Sequence, residues 1–229
     1  MMRFAIVICL MSLTGALAAD QMESKHARQD VGPDLDPTSS FWRGVPVVVV
    51  DRDTSGNQVA GHRTEVRSRW TSHNLYFLYV CPYEHLNLKP DPKTTVETNE
   101  LWKWDVAEAF IGSDYKNIRR YKEFEISPQG EWVDLDIDLD SPHHEDGWTW
   151  NSGMQAAARI DKDAKIWYGF MRIPYASIDS RPAAAGNTLR INLFRSQGAK
   201  PDHKSIVWQP THRPSFHTPE VFGEIKLVN

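Results

Sequence analysis

Arg63-Thr64-Glu65-Val66-Arg67-Ser68-Arg69-Trp70-Thr71-Ser72-His73-Asn74-Leu75-Tyr76-Phe77-Leu78-Tyr79-Val80-Cys81 reads as two strands around a turn. In the first half Val66, Ser68 and Trp70 fall on one side and Glu65, Arg67 and Arg69 on the other, the period of two of a strand with one buried face. Thr71 to Asn74 is a polar turn, and Leu75 to Cys81 is an apolar second strand. Working outward, the same period and the same turn signals predict strands at Val45–Asp51, Trp104–Ile111, Arg120–Ser127, Glu131–Asp140 and Met154–Ile160. Four more are predicted at Ile166–Ile173, Thr188–Ser196, Ile206–Gln209 and Glu224–Val228. A single helical turn is expected at Tyr175–Ile178, after Pro174. The pattern is that of an all-β protein, an antiparallel, jelly-roll-like β-sandwich of about ten strands in two sheets.

The N-terminus has a different character. Basic Met1-Met2-Arg3 runs into apolar Phe4–Leu17, too short for a membrane span, and then into the small residues Ala16, Ala18 and Ala19. Residues 1–19 are therefore expected to be a signal peptide, with export to the periplasm or the exterior and no membrane span once it is removed. Residues 20–40 hold Gly32, Pro33, Pro37 and many charges with almost no apolar content, and are expected to be a flexible polar tether. Residues 41–229 then form one large β domain.

Composition narrows the partners. The formal charge of −4 becomes one unit more negative without Arg3, so nucleic acid is not an expected partner. Of the two cysteines, Cys9 leaves with the leader and Cys81 has no partner in the chain, so the core must hold without a disulfide. Cys81 ends an apolar strand and is read as a buried small hydrophobe. Nine tryptophans exceed what a core of this size needs, which points some of them at a ligand.

Leu101-Trp102-Lys103-Trp104-Asp105-Val106-Ala107-Glu108-Ala109-Phe110-Ile111 carries the chemistry. In an extended strand Trp102, Trp104, Val106, Glu108 and Phe110 share one face. Sugars stack their C–H faces on aromatic rings while carboxylates and amides take the hydroxyls, and this row offers both. A strand whose rings enter the core, with Glu108 paired to an arginine, fits the same residues.

Trp102-x-x-Asp105-Val106-x-Glu108-x-Phe110 resembles the signature of family 9 carbohydrate-binding modules and their stand-alone relatives. Arg63-Thr64-Glu65-Val66 leading to Trp70, then Asn74-Leu75-Tyr76, is similar to that family's early hairpin. Tyr121-x-Glu123-Phe124-Glu125-Ile126-Ser127-Pro128-x-Gly130, Arg190-x-Asn192-x-x-Arg195, Trp208-x-Pro210-Thr211 and Phe216-His217-x-Pro219-Glu220-x-Phe222-Gly223 continue the series in order. The resemblance implies a sandwich that binds the end of a sugar chain between two aromatic rings, here Trp102 and Phe216, with Glu108 accepting from hydroxyls. It implies an oligosaccharide or polysaccharide partner, and a supporting role in polysaccharide breakdown or uptake. Two positions depart from it: Glu125 stands where sugar-binding members carry an arginine, and Arg213-Pro214 replaces an asparagine on the final loop. The candidate ligand-binding residues are thus Trp102, Glu108, Phe216, Arg213, His217 and Glu125, with no catalytic residue assigned.

Asp134, Asp136, Asp138 and Asp140 alternate with Val133, Leu135, Ile137 and Leu139 and project from one face. That face is expected to be wet and matched by arginines such as Arg119, Arg120 or Arg159. Asp134, Asp136 and Asp138 are kept as weaker calcium candidates, since the resembled family includes structural calcium sites. His143-His144-Glu145-Asp146 is read as a solvated turn rather than a metal site. Three other functions compete. Glu108 with Glu123 or Glu125 offers the carboxylate pair of a glycoside hydrolase. Met154 or Met171 with a histidine offers the axial ligands of a haem-binding electron-transfer sandwich. The aromatic face could instead meet another protein at the cell surface.

Overall fold

The computed structural model describes residues 21–229. The expected signal peptide lies outside them. Among the described residues no helix is long and apolar enough to cross a membrane.

The decisive hairpin forms as read. In chain order the strands that precede and build it are β1 (Gln21–His26), β2 (Val48–Val50), β3 (Thr64–Trp70) and β4 (Asn74–Pro82). β3 and β4 pair antiparallel from Glu65↔Val80 to Trp70↔Leu75. Alternate residues Thr64, Val66, Ser68 and Trp70 are buried on β3, whereas β4 is buried on both faces. Phe77, Tyr79 and Cys81 enter the main core, while Tyr76 and Leu78 pack with Trp42, Val45 and Phe170. Cys81 is fully buried and its thiol is pushed up to about 12 by burial, the inert hydrophobe expected of it.

The remaining strands are β5 (Val106–Gly112), β6 (Arg120–Ile126), β7 (Trp132–Asp138) and β8 (Gln155–Asp161). They continue with β9 (Ile166–Pro174), β10 (Thr188–Gln197), β11 (Lys204–Val207) and β12 (Gly223–Val228). The turn expected after Pro174 is a 3₁₀ turn at Tyr175–Ser177. Among the described residues all twelve strands belong to one sheet, in the order β7-β6-β5-β10-β12-β1-β3-β4-β9-β8, with β11 on β10 and β2 on β3. The expected division into two sheets is corrected to a single mixed sheet that curls until its wings face each other. Two contacts mark this closure. The Tyr79 hydroxyl on β4 donates to the Glu108 carbonyl on β5 at 2.9 Å. A Cβ on Gly169 of β9 would come within 3.2 Å of Ile126 on β6, so glycine permits the approach.

β1 is the reason one sheet replaces two. It lies between β12 and β3 and runs parallel to both, pairing Gln21↔Glu224 through Lys25↔Val228 on one side and Lys25↔Arg69 on the other. The expected tether is therefore corrected over this segment. Met22 and Ser24 are its buried side chains, Ser24 bonded to Ser68 at 2.9 Å, so backbone ladders on both sides order a strand that apolar content alone would not. Beyond it, Asp30 accepts hydrogen bonds from Thr71 (2.6 Å), Tyr76 (2.6 Å) and Asn74 (2.8 Å). Burial would raise this carboxyl, but those bonds and the one with His73 outweigh it and hold it well below the usual range. The Trp42 indole caps the stretch by donating to the Asp34 carbonyl at 2.8 Å.

β5 begins later than expected. Leu101–Lys103 is a 3₁₀ turn entered through Glu100 at φ 59°, so Trp102 and Trp104 do not continue the strand face of Glu108. Asp105 draws the chain aside, accepting from the Asn87 N–H at 3.1 Å, the Gln197 amide at 2.8 Å and the Gly198 N–H at 2.5 Å.

On β7 the calcium candidates do not converge. Register sets Asp138 opposite Arg120 and Asp136 opposite Lys122, with ion pairs of 2.6 and 2.7 Å, and Asp140 pairs with Arg119 at 2.6 Å. Asp134 is buried and accepts from the Ser152 hydroxyl at 2.5 Å. Arg159 is engaged elsewhere, with Asp161 at 3.7 Å. The face is matched by cations across the strands, one of them the unforeseen Lys122.

Candidate functional site

One face of β5, β6 and β10 packs on the main core through Ala107, Ala109, Phe124, Ile126, Leu189, Ile191 and Leu193. The other face carries Val106, Phe110, Tyr121 and Phe194, joined by Val133, Leu135 and Ile137 of β7 and by Phe222. A second small core results, and a pocket of ≈ 370 Å³ opens beside it. That is the small end of the range for ligand cavities.

Strands supply Glu108, Phe110, Glu123, Leu135, Ile137, Ser196 and Ser205 to its lining. Loops supply Trp102, His144, Glu145, His203 and the run Pro214-Ser215-Phe216-His217. Buried polar side chains fix those loops. Asn192 on β10 donates to the Gln209 carbonyl and accepts from the Gln209 N–H, both at 3.0 Å, at the root of the final loop. Arg190 donates to the carbonyls of Asp114 and Ile118, both at 3.2 Å, and of Pro219 at 3.5 Å, joining that loop to the β5–β6 connection. Gly147 lets the His144–Thr149 turn lie on β7, because a Cβ there would collide with the Asp136 carbonyl oxygen.

Four of the predicted residues meet in this pocket: Trp102, Glu108, Phe216 and His217. Phe216 stacks on Phe194 with centroids 4.4 Å apart and planes at 15°, so one of its faces is already covered. The His217 ring lies 5.3 Å from Phe110 and 4.5 Å from His144, and its Nδ1 is 2.7 Å from the Tyr121 hydroxyl. Burial, reinforced by His144, pushes His217 down to about 4, so the imidazole is neutral at neutral pH. Arg213 is not brought in. It is exposed, outside the lining, with its carbonyl accepting from Thr211 at 2.7 Å. Trp104 does not line the pocket either, and Met154 and Met171, the haem candidates, sit in the main core rather than beside the pocket's histidines.

Glu125 lies behind the lining and completes a cluster. Register places Glu125 opposite Glu108 and Glu123 opposite Phe110. Carboxylate oxygens of Glu108, Glu123 and Glu125 come within 4.8 Å of one another, and the three residues are 2%, 4% and 0% exposed. No basic or backbone group reaches either Glu125 oxygen or Glu123 Oε2, the carboxyls of Glu123 and Glu125 bond only to each other, and Glu108 Oε1 accepts from Ser196 at 3.4 Å. Burial, then the charge of Glu123, raises Glu108 well above the ordinary carboxylate range. Burial, the charges of Glu108 and Glu123 and the hydrogen bond with Glu123 do the same to Glu125, and burial, opposed by that bond, pushes Glu123 up to about 7. Three like groups this close cannot all ionise at neutral pH without a counter-charge.

His144, Glu145, Ser196 and His203 are lining residues that the sequence did not single out for ligand contact, and Glu123 entered only as a partner of Glu108 in the hydrolase reading. Glu123 was reachable from the sequence, since pairing Glu108 with Glu125 places Glu123 on the same face two residues away. His144 and Glu145 were not, because a 3₁₀ turn folded onto β7 has no period that marks its inner side.

A family model described as "Carbohydrate family 9 binding domain-like" matches residues 37–229. An extracellular protein of Arthroderma benhamiae is 26% identical over 152 residues, which are 60% of this chain and 67% of that protein. A family 9 carbohydrate-binding module from Caldicellulosiruptor kristjanssonii, solved with cellotriose, superposes with a TM-score of 0.63 at 12% identity, covering 92% of this chain and 94% of its own. The same module with glucose gives 0.62 at 13% identity, over 91% and 95%. A candidate carbohydrate-binding protein from Bacteroides uniformis gives 0.69 at 15% identity, over 91% and 99%.

Proposed function

Because the chain belongs to the carbohydrate family 9 binding domain-like family, we propose that it is an exported, non-catalytic sugar-binding protein that serves polysaccharide breakdown or uptake. The observation that carries this reading is the meeting of Trp102, Phe216, Glu108 and His217 in one pocket of ≈ 370 Å³. Trp102 and the free face of Phe216 stack the C–H faces of a sugar ring as a clamp. Glu108 accepts from hydroxyls, and neutral His217, held through Nδ1 by Tyr121, presents Nε2 to the ligand. The glucose and cellotriose complexes of the Caldicellulosiruptor module favour gluco-configured ligands. Export is supported by the leader-like residues 1–19 and by the likeness to an extracellular protein.

Calorimetric titration with glucose, cellobiose, cellotriose and xylobiose tests the reading. Saturable binding is expected, and Trp102→Ala should weaken it by about 1–3 kcal/mol, the scale of aromatic stacking on a flat ligand. Unchanged affinity in a folded Trp102→Ala variant would remove the clamp, and silence across the panel would remove the function.

Glycoside hydrolysis is favoured by one observation, the closeness of Glu108 and Glu123 oxygens within 4.8 Å, near the roughly 5–5.5 Å of retaining enzymes. The two carboxyls, however, stand on adjacent strands of one sheet face, whereas acid and nucleophile must flank the scissile bond. Release of chromophore from aryl glycosides would reinstate hydrolysis.

A further inference from the structure

Glu108, Glu123 and Glu125 are buried together without a cationic partner. Among the described residues no ion pair reaches them, and no lysine or arginine lines the pocket. The imidazoles that do line it are poor counter-charges. His217 is bonded to Tyr121, His203 is held below its ordinary value by burial and by Lys200, and His144 lies 3.5 Å from Glu145, a further acid of the same pocket. Tyr121, Ser196, Ser205 and Ser215 are further polar groups nearby, and none carries positive charge.

On the sugar-binding reading above, we propose that the ligand of this pocket is an amino sugar whose protonated amine is taken up by Glu108, Glu123 and Glu125. An ammonium group carries three donors and no acceptor, which matches three acid side chains. Oxygens each about 2.8 Å from one nitrogen lie at most about 5.6 Å apart, and the three carboxylates meet within 4.8 Å. Glu108 and Glu123 open onto the cavity, so the amine reaches them directly. Glu125, buried just behind and bonded to no group other than Glu123, adds a carboxylate at the base when the amine is bound. A neutral sugar would leave the three acids neutralised by protons alone, whereas an ammonium group supplies the counter-charge against which they ionise. A bare metal ion would fill only the triad, whereas the cavity extends over Phe110, Trp102 and Phe216 and has room for the ring that carries the amine.

The test compares glucosamine, glucose and N-acetylglucosamine by calorimetry at neutral pH, with calcium chloride alone as a fourth titrant. Glucosamine should bind at least about tenfold more tightly than glucose, the scale of a charge-assisted hydrogen bond, and N-acetylglucosamine, which keeps the nitrogen but loses its charge, should show no such gain. Glu125→Gln, checked for folding by its thermal melt, should bring the glucosamine-to-glucose ratio toward one. Glucose binding as well as glucosamine would overturn the proposal while leaving the sugar-binding reading intact. Failure of all three sugars would overturn the amine, and the sugar-binding reading would fall with it only if cellobiose, cellotriose and xylobiose were silent too. Calcium binding that Glu125→Gln abolishes would assign the triad to a metal and overturn the amine.

Discussion

Neutralising Glu123 should make the protein more stable in alkali than in acid relative to its parent. Glu123 is 4% exposed, and burial raises its carboxyl from 4.5 to about 7. A carboxyl whose folded pKa lies above its unfolded value contributes stability that is complete below about 4.5 and is lost as pH rises through about 7. At about 1.4 kcal/mol per pH unit, that interval corresponds to about 3 kcal/mol. His217 works against this in the parent protein. Its imidazole is pushed down from 6.5 to about 4, so its contribution is present above 6.5 and lost as pH falls. The two slopes offset each other in mildly acidic solution, and the parent's own pH profile does not isolate either. The difference between parent and Glu123→Gln does, because His217 titrates in both. Thermal melts of ligand-free protein at pH 5 and pH 8 should show the variant gaining about 3 kcal/mol on its parent over that range, roughly 6–12 °C in Tm for a domain of this size. Relief of Glu108, which Glu123 pushes upward, adds in the same direction. A difference that stays constant with pH, or that grows in the parent's favour, would refute the account of the triad.

Deleting residues 21–26 should unfold the domain rather than trim a tail, because β12 and β3 each lose the neighbour on one side and the sheet is cut between them; a cooperative melt with native near-ultraviolet dichroism in the truncated protein would contradict the single sheet. Gly169→Ala should cost about 1–3 kcal/mol in urea denaturation, since its Cβ would lie 2.9 Å from the Trp167 ring and 3.2 Å from Ile126. Cys81 should resist a thiol reagent in the native protein and react fully in denaturant, given its burial and raised thiol; rapid native labelling would contradict that packing.

Period-two patterning carried most of the fold. β3, β4, β9, β10 and β12 lie within a residue or two of their expected bounds, since each has a buried side that the sequence marks with apolar residues. β1 was hidden because Gln-Met-Glu-Ser-Lys-His offers one apolar side chain, and its order comes from backbone groups paired on both sides, which leave no side-chain signal. In the site, Glu108 and Phe110 were legible through alternation, and Trp102, Phe216 and His217 through the family resemblance. Arg213 stands outside the pocket lining because the side of the final loop that faces inward is set by distant anchors, Arg190 and Asn192 on β10. Trp104 was misplaced because Asp105 breaks the strand through bonds to residues 87, 197 and 198.

The β6–β7 hairpin shows why the triad is better explained by a ligand than by a shortage of cations. On the face away from the pocket, every exposed acid of β7 meets a base across the register, Asp136 with Lys122 and Asp138 with Arg120. On the pocket face of the same β6 strand, Glu123 and Glu125 stand opposite Leu135 and Val133, and their neighbour across β5 is a third acid, Glu108. A lysine in place of Val133 or Leu135 would be the simplest internal remedy, and the chain carries an apolar residue at both positions. Local rules that hold on one face and fail on the other mark a functional surface rather than a general defect of the fold. The failure also coincides with the wall of the pocket that rings from separate loops and strands enclose, Trp102, Phe110 and Phe216. Charge compensation and ring stacking therefore belong to a single ligand, and a molecule that supplied only one of them would leave either the acids or the aromatic surface unmatched.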